Sequence, residues 1–155
     1  MTSIARDYPT ETLGEILQGV HAEGRLDGLM LAMTLRQHYR NDSRHNIEAV
    51  YTFPLAYGAT LLGLQVEIGG KRMRAQVIGA PEARERFEDA IDAGDSPVMV
   101  EQTGSGLYTA NLGNLLPGES LTVELEYAQL LRFEQGRIRL SVPTVIAERY
   151  GNPQG

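Results

Sequence analysis

From Leu121 to Ala128 the chain alternates without a break: Leu121, Val123, Leu125 and Tyr127 against Thr122, Glu124, Glu126 and Ala128. Successive side chains of an extended chain point to opposite faces, so this run makes a strand with one apolar face. A helix would scatter the same residues around its axis. The period recurs along the sequence. Leu29, Leu31, Met33 and Leu35 alternate with Met30, Ala32, Thr34 and Arg36, a strand running to about Tyr39. Ile47, Ala49, Tyr51 and Phe53 share a face, and Pro54 ends that strand because it lacks the ladder donor. Leu62, Leu64, Val66 and Ile68 form a further face. Gly69-Gly70 follows, then Met73, Ala75 and Val77, the pattern of a tight hairpin.

Weaker runs complete the set. Ile16–Leu26 reads as a first strand in spite of Gly19 and Gly24. Val98–Gln102 and Leu107–Leu112 flank the Gly104-Ser105-Gly106 turn. Asn41-Asp42-Ser43 and Asn114–Gly118, with Pro-Gly at its tip, are turns. Gln135-Gly136 reverses the chain, and Ile138, Leu140 and Val142 return it as far as Pro143. About nine or ten short strands at this spacing predict a mainly β fold, an antiparallel β-sandwich.

One stretch breaks the pattern. Pro81 suits a first helical turn, and Glu82 and Glu85 favour the positive end of the helix dipole. Ala83, Phe87, Ala90 and Ile91 fall on one helical face, and Gly94 can close the last turn. The spacing predicts one amphipathic helix over about 81–93, packed through Phe87 on a sheet or over an open end. Residues 1–15 read as a polar lead-in, 16–150 as the domain and 151–155 as a linker or cut end.

The 155 residues suffice for one domain that buries about two-thirds of its unfolded surface. A formal net charge of −6 argues against nucleic acid, which needs clustered positive charge. There is no cysteine, which excludes disulfides, thiol nucleophiles and thiolate metal sites within the chain. Neither a signal peptide nor an apolar run long enough for a membrane span is present, so the default expectation is cytoplasmic.

Residues with reactive side chains do not assemble into a motif. His21, His38 and His45 lack metal-pair spacing, although His38 and His45 flank a turn. Ser43, Ser96, Ser105, Ser120 and Ser141 lack a nucleophile elbow, and Gly104-Ser105-Gly106 has no Lys-Ser/Thr or helix after it. Glu48, Glu101, Glu124 and Glu126 lie on predicted strands, where solvated faces account for them. Lys71, Arg72 and Arg74 form a small basic cluster that suits an exposed, edge-protecting strand.

Four stretches in order resemble the vault protein inter-alpha-trypsin (VIT) domain. Asn46–Leu55 is similar to that family's E-A-x-Y-x-F-P-L signature. The Gly-Gly hairpin precedes the Ala83/Phe87/Ala90/Gly94 helix, with Phe87 where the family has an aromatic residue, often Tyr. Leu107–Glu119 is similar to F-T-x-x-x-x-N-I-x-P-G-E, with Tyr108 replacing the common Phe. Leu125-Glu126-Tyr127, Val142-Pro143 and Arg149-Tyr150 follow, with Glu148 where the family often has Pro. The resemblance spans about residues 16–150 and implies a module set N-terminal to a von Willebrand factor A-type domain, in a bacterial protein. The D-x-S-x-S metal motif of that second domain is not in this sequence; Asp42-Ser43 and Asp95-Ser96 do not fit it.

The resemblance implies a non-catalytic interaction or scaffold domain, without cofactor or metal. Its expected partner is an A-type domain in the same full-length chain or another protein. The candidate contact residues are Tyr57, Lys71, Arg72, Arg74, Val98, Val100 and Gln102, on the rims of the predicted strands. A homo-oligomeric structural module, pairing through an edge such as Val98–Gln102, is the alternative. A hydrolase using Glu or His has the weakest support.

Overall fold

The computed structural model describes residues 13–75, 98, 100–102 and 106–142, and within them the chain is mainly antiparallel β. The predicted helix at 81–93, the lead-in through Thr12 and the linker at 151–155 lie outside the described residues. A 3-10 turn, Leu13–Ile16, leads into β1 (Leu17–Asp27), β2 (Met30–Arg40), β3 (Ile47–Pro54) and β4 (Ala59–Ile68). Then come β5 (Lys71–Ala75), β6 (Val100–Gln102), β7 (Leu107–Leu115) and β8 (Ser120–Leu130). Two short strands, β9 (Phe133–Glu134) and β10 (Arg137–Ile138), close the series.

The strands form open sheets. Five lie in the order β1-β2-β8-β4-β5 and three in the order β3-β7-β6, while among the described residues β9 and β10 pair only with each other. The strongest alternation takes the central place: β8 lies between β2 and β4, with Leu121, Val123, Leu125 and Tyr127 all buried. A strand paired on both sides satisfies its whole backbone, so its apolar face can be fully desolvated. Leu31, Met33 and Leu35 of β2 and Leu64 and Val66 of β4 extend that face. Ile47, Ala49, Tyr51 and Phe53 of β3, with Ala110, Leu112 and Leu115 of β7, join them in one hydrophobic cluster. The sheets touch through an edge-to-face contact of Tyr39 and Tyr51, centroids 6.5 Å apart. Tyr51, Phe53 and Tyr108 then stack in series, with centroid spacings of 5.1 and 5.4 Å.

Three expectations change in detail. The face predicted through Leu62 is carried instead by Leu61, because a bulge shifts the β4–β8 register between Leu61 and Gly63. One extra residue reverses the alternation, so Leu62 points out and is 60% exposed. β7 continues past Leu112 to Leu115 through a second irregularity. Gly113 takes φ +87° there and donates its N–H to Asn111 Oδ1 at 2.9 Å. Its left-handed backbone returns Leu115 to the core side. The returning strand expected through Ile138, Leu140 and Val142 is only the two-residue β10, in a hairpin outside the main sheets. Ile138 and Leu140 are exposed, since no described strand offers them a face to pack on.

Candidate interaction surface

β3 stops at Pro54, and the Leu55 N–H then donates to the Gly106 carbonyl at 2.8 Å. The chain reverses through Tyr57 and Gly58, closed by Ala59 N–H to the Ala56 carbonyl at 3.0 Å, with Gly58 at φ +76°. This turn projects the Tyr57 side chain into solvent, 95% exposed. Its carbonyl is held by Gln129 Nε2 of β8 at 2.8 Å. The same end of the five-stranded sheet carries the β1–β2 turn, where Leu131 N–H donates to the Leu29 carbonyl at 2.7 Å. Met30 lies opposite Leu130, and both are exposed, as is Leu29. Tyr57, Leu29, Met30 and Leu130 thus form an apolar rim on one end. An aromatic ring on a moored turn beside aliphatic neighbours suits a buried contact with a protein.

The seven predicted contact residues do not form one patch. Gln102 lies exposed on β6, opposite Tyr108, toward the Tyr57 end. Val98 and Val100 are each about 95% buried in the shared core, so their side chains face inward, away from any partner. Lys71, Arg72 and Arg74 are exposed on β5 and its hairpin. Tyr57 precedes β4 and Lys71 follows it, so the strand's length separates them by about 30 Å. Arg72 pairs with Glu67 at 3.1 Å in open solvent, a contact that contributes about 1 kcal/mol at most.

The groups with reactive side chains are dispersed. His38 Nδ1 lies 3.0 Å from Thr122 Oγ1 on the outer face of β2 and β8. His45 instead engages its carbonyl, which accepts from Asn41 Nδ2 at 2.7 Å. Arg36 Nε donates to Glu124 Oε2 at 2.8 Å. Glu124 and Glu126 belong to the five-stranded sheet, whereas Glu48 and Glu101 belong to the three-stranded one. Among the described residues, no group of three or more His, Cys, Asp or Glu is arranged to hold a metal. No helix among them is long and apolar enough to cross a membrane. Burial pushes the Tyr39 hydroxyl up to about 12 and raises Tyr51 and Tyr127 as well. All three phenols pack in the core, and Tyr39 and Tyr51 also donate hydrogen bonds to Gln37 Oε1.

Asn41 has a larger role than its turn signal suggested. It is fully buried. Its Nδ2 donates to the His45 and Leu115 carbonyls at 2.7 and 3.0 Å. Its Oδ1 accepts from the Ser43 N–H and Oγ at 3.0 and 2.7 Å. Its backbone N–H donates to the Glu119 carbonyl, and its own carbonyl accepts from Gly118 N–H. One residue thereby joins the β2–β3 loop to the β7–β8 turn. Only the Asn-Asp-Ser pattern hinted at it, and that pattern marks exposed turns equally well.

Known proteins give the surface a context. The family profile described as "Vault protein inter-alpha-trypsin domain" matches residues 17–127. The chain is 26% identical over 137 residues to rat von Willebrand factor A domain-containing protein 5A, covering 86% of this chain and 17% of that protein. It is 30% identical over 116 residues to the human protein of that name, covering 73% and 15%. It is 28% identical over 131 residues to mouse protein mono-ADP-ribosyltransferase PARP4, covering 84% of this chain and 7% of the transferase. The chain therefore spans under a fifth of each of these relatives. With the profile running from the first strand to Tyr127 of the central one, the chain belongs to the vault protein inter-alpha-trypsin (VIT) domain family.

Proposed function

We propose that this chain is a non-catalytic protein-interaction module that docks on a von Willebrand factor A domain in the protein to which it belongs. The observation that carries the reading is the company the module keeps. Relatives matched over most of this chain are named for a von Willebrand factor A domain, and the chain accounts for only 17% of the rat protein's length. The transferase activity in the name of PARP4 stays with that protein, of which this chain spans 7%. The apolar rim of Tyr57, Leu29, Met30 and Leu130 supplies the contact. Exposed aromatic and aliphatic groups at the centre of an interface contribute most of its affinity.

The test begins with the gene, which should encode an A-type domain in the same reading frame. That domain is then titrated with this chain by calorimetry. Tyr57→Ala and Leu130→Asp should each weaken binding by about tenfold or more. Arg74→Ala, on a strand at the far edge of the sheet, should leave it unchanged. A gene without such a domain would remove the partner. Binding no tighter than that of an unrelated β domain would refute the docking.

A further inference from the structure

Among the described residues the five-stranded sheet ends in two unlike edges. β5 is five residues long and carries Lys71, Arg72 and Arg74, like charges that repel a second copy of themselves. β1 is eleven residues long, about twice the usual strand, with neither proline nor lysine. Among the described residues it pairs with β2 alone. Its one irregularity lies at its start, between Leu17 and Gly19. Leu17, Val20 and Leu26 are all exposed, although they share the side of the sheet that carries the core.

The other face of β1 carries His21, Glu23, Arg25 and Asp27 in sequence. These residues alternate in their pairing preference, and that makes the strand complementary to itself. Two copies can continue one sheet about a two-fold axis perpendicular to it, provided each side chain stays on its own face. Odd residues then meet odd residues, and only a few registers remain. Centring the axis on Glu23 sets Glu23 against Glu23, and His21 against Arg25. Centring it on Arg25 sets Arg25 against Arg25, and Glu23 against Asp27. Centring it on Gly24 sets Glu23 against Arg25 twice and His21 against Asp27 twice. In that register Ala22 faces Leu26 and Gly24 faces Gly24, so nothing bulky collides at the axis. The pairing would join the two five-stranded sheets into one continuous sheet and run together their exposed Val20 and Leu26 side chains.

We propose that β1 is a self-association edge, and that its partner is the β1 of a second copy of this chain, paired antiparallel about Gly24. This interface is separate from the Tyr57 rim, and the two stand or fall independently. It also differs from the edge at Val98–Gln102 considered from sequence, where the described residues of β6 are Val100–Gln102.

Charge swaps test both the edge and its register. In sedimentation equilibrium the unaltered chain should show a reversible monomer–dimer equilibrium. Glu23→Arg and Arg25→Glu each place like charges opposite one another at both symmetry-related positions. Each should raise the dissociation constant by about tenfold or more, and the double swap E23R/R25E should restore it. Both side chains are exposed, so circular dichroism should show the fold unchanged. Cross-linking provides a second arm, because the chain has no cysteine of its own. The double variant H21C/D27C should oxidise to a dimer linked 21 to 27, since directly opposed positions lie within disulfide reach. Within one strand those positions are about 20 Å apart and cannot bridge. A chain that stays monomeric at high concentration would overturn the proposal. So would single swaps without effect, a double swap as weak as the singles, or no 21–27 cross-link.

Discussion

Asn41 uses every hydrogen-bonding group it has, and all of them inside the protein. Removing its side chain leaves the Leu115 and His45 carbonyls short of a donor and Ser43 short of an acceptor. With each such loss costing about 1 kcal/mol, Asn41→Ala should lower stability by about 3 kcal/mol or more in urea unfolding. A loss below about 1 kcal/mol would mean that water replaces the network. Tyr127 is the opposite case. It is buried, and among the described residues its hydroxyl has no hydrogen-bond partner. Tyr127→Phe removes a desolvated polar atom and keeps the ring. It should leave stability unchanged or raise it by up to about 1 kcal/mol. A clear loss in the same unfolding experiment would reveal an unseen partner for that hydroxyl. Alternation in the sequence placed Tyr127 on the core face, since ring and neighbours share one period. It said nothing of the hydroxyl, because a partner for it depends on which strands lie beside β8.

At the scale of elements, β3 and β8 were legible residue by residue. Ile47, Ala49, Tyr51 and Phe53 are all buried, as are Leu121, Val123, Leu125 and Tyr127. The turns were legible too, for conformational reasons. Pro117-Gly118 closes with Glu119 N–H to the Leu116 carbonyl at 3.0 Å and Gly118 at φ +79°, as a type II turn requires. Gly69 and Gly70 both take positive φ, at +54° and +77°, the backbone of a two-residue hairpin. Gly69 carries a second constraint from tertiary structure. A Cβ there would lie 2.9 Å from Glu119 Oε1, while Oε2 of that carboxylate accepts from the Leu116 N–H at 2.9 Å. Gly69→Ala should therefore cost about 1–2 kcal/mol, seen as a lower Tm, and should loosen the Pro117-Gly118 turn as well. Gly19→Ala meets open space without positive φ and should be neutral or slightly stabilising. Equal effects at the two sites would refute this account. The bulges at Leu62 and Gly113 escaped the pattern because each inserts one residue and reverses the alternation by which a strand is recognised.

The whole molecule depends on the meeting of two sheets, and tyrosines stand at that junction. Tyr39 of β2 and Tyr51 of β3 both donate to Gln37 Oε1, at 3.0 and 2.5 Å. Burial raises both phenols, Tyr39 to about 12, against about 10 in an unfolded chain. The folded state therefore holds these protons more tightly than the unfolded state does. Their contribution is complete below pH 10 and falls as pH rises toward 12, by about 1.4 kcal/mol per unit for each group. Alkaline titration should show Tyr39 and Tyr51 ionising together with loss of the fold. Tyr51→Phe should move that transition to higher pH. Smooth ionisation near pH 10 with the fold intact would contradict the buried junction.

The sequence by itself determined where strands run, which of their faces are apolar and where the chain must turn. Those properties are local: a two-residue period, a proline without its N–H, a glycine free to take positive φ. The VIT resemblance was legible on the same stretches, and the family match over residues 17–127 bears it out. Only the tertiary structure decided that β8 lies between β2 and β4, that Leu61 replaces Leu62 in the core, and that Asn41 is buried. It likewise turned Val98 and Val100 inward while leaving Tyr57 in solvent. Strand order depends on pairing between residues far apart in the chain, such as Met33 with Tyr127. No local pattern encodes such a choice; it follows from which arrangement buries the most apolar surface while pairing every backbone group.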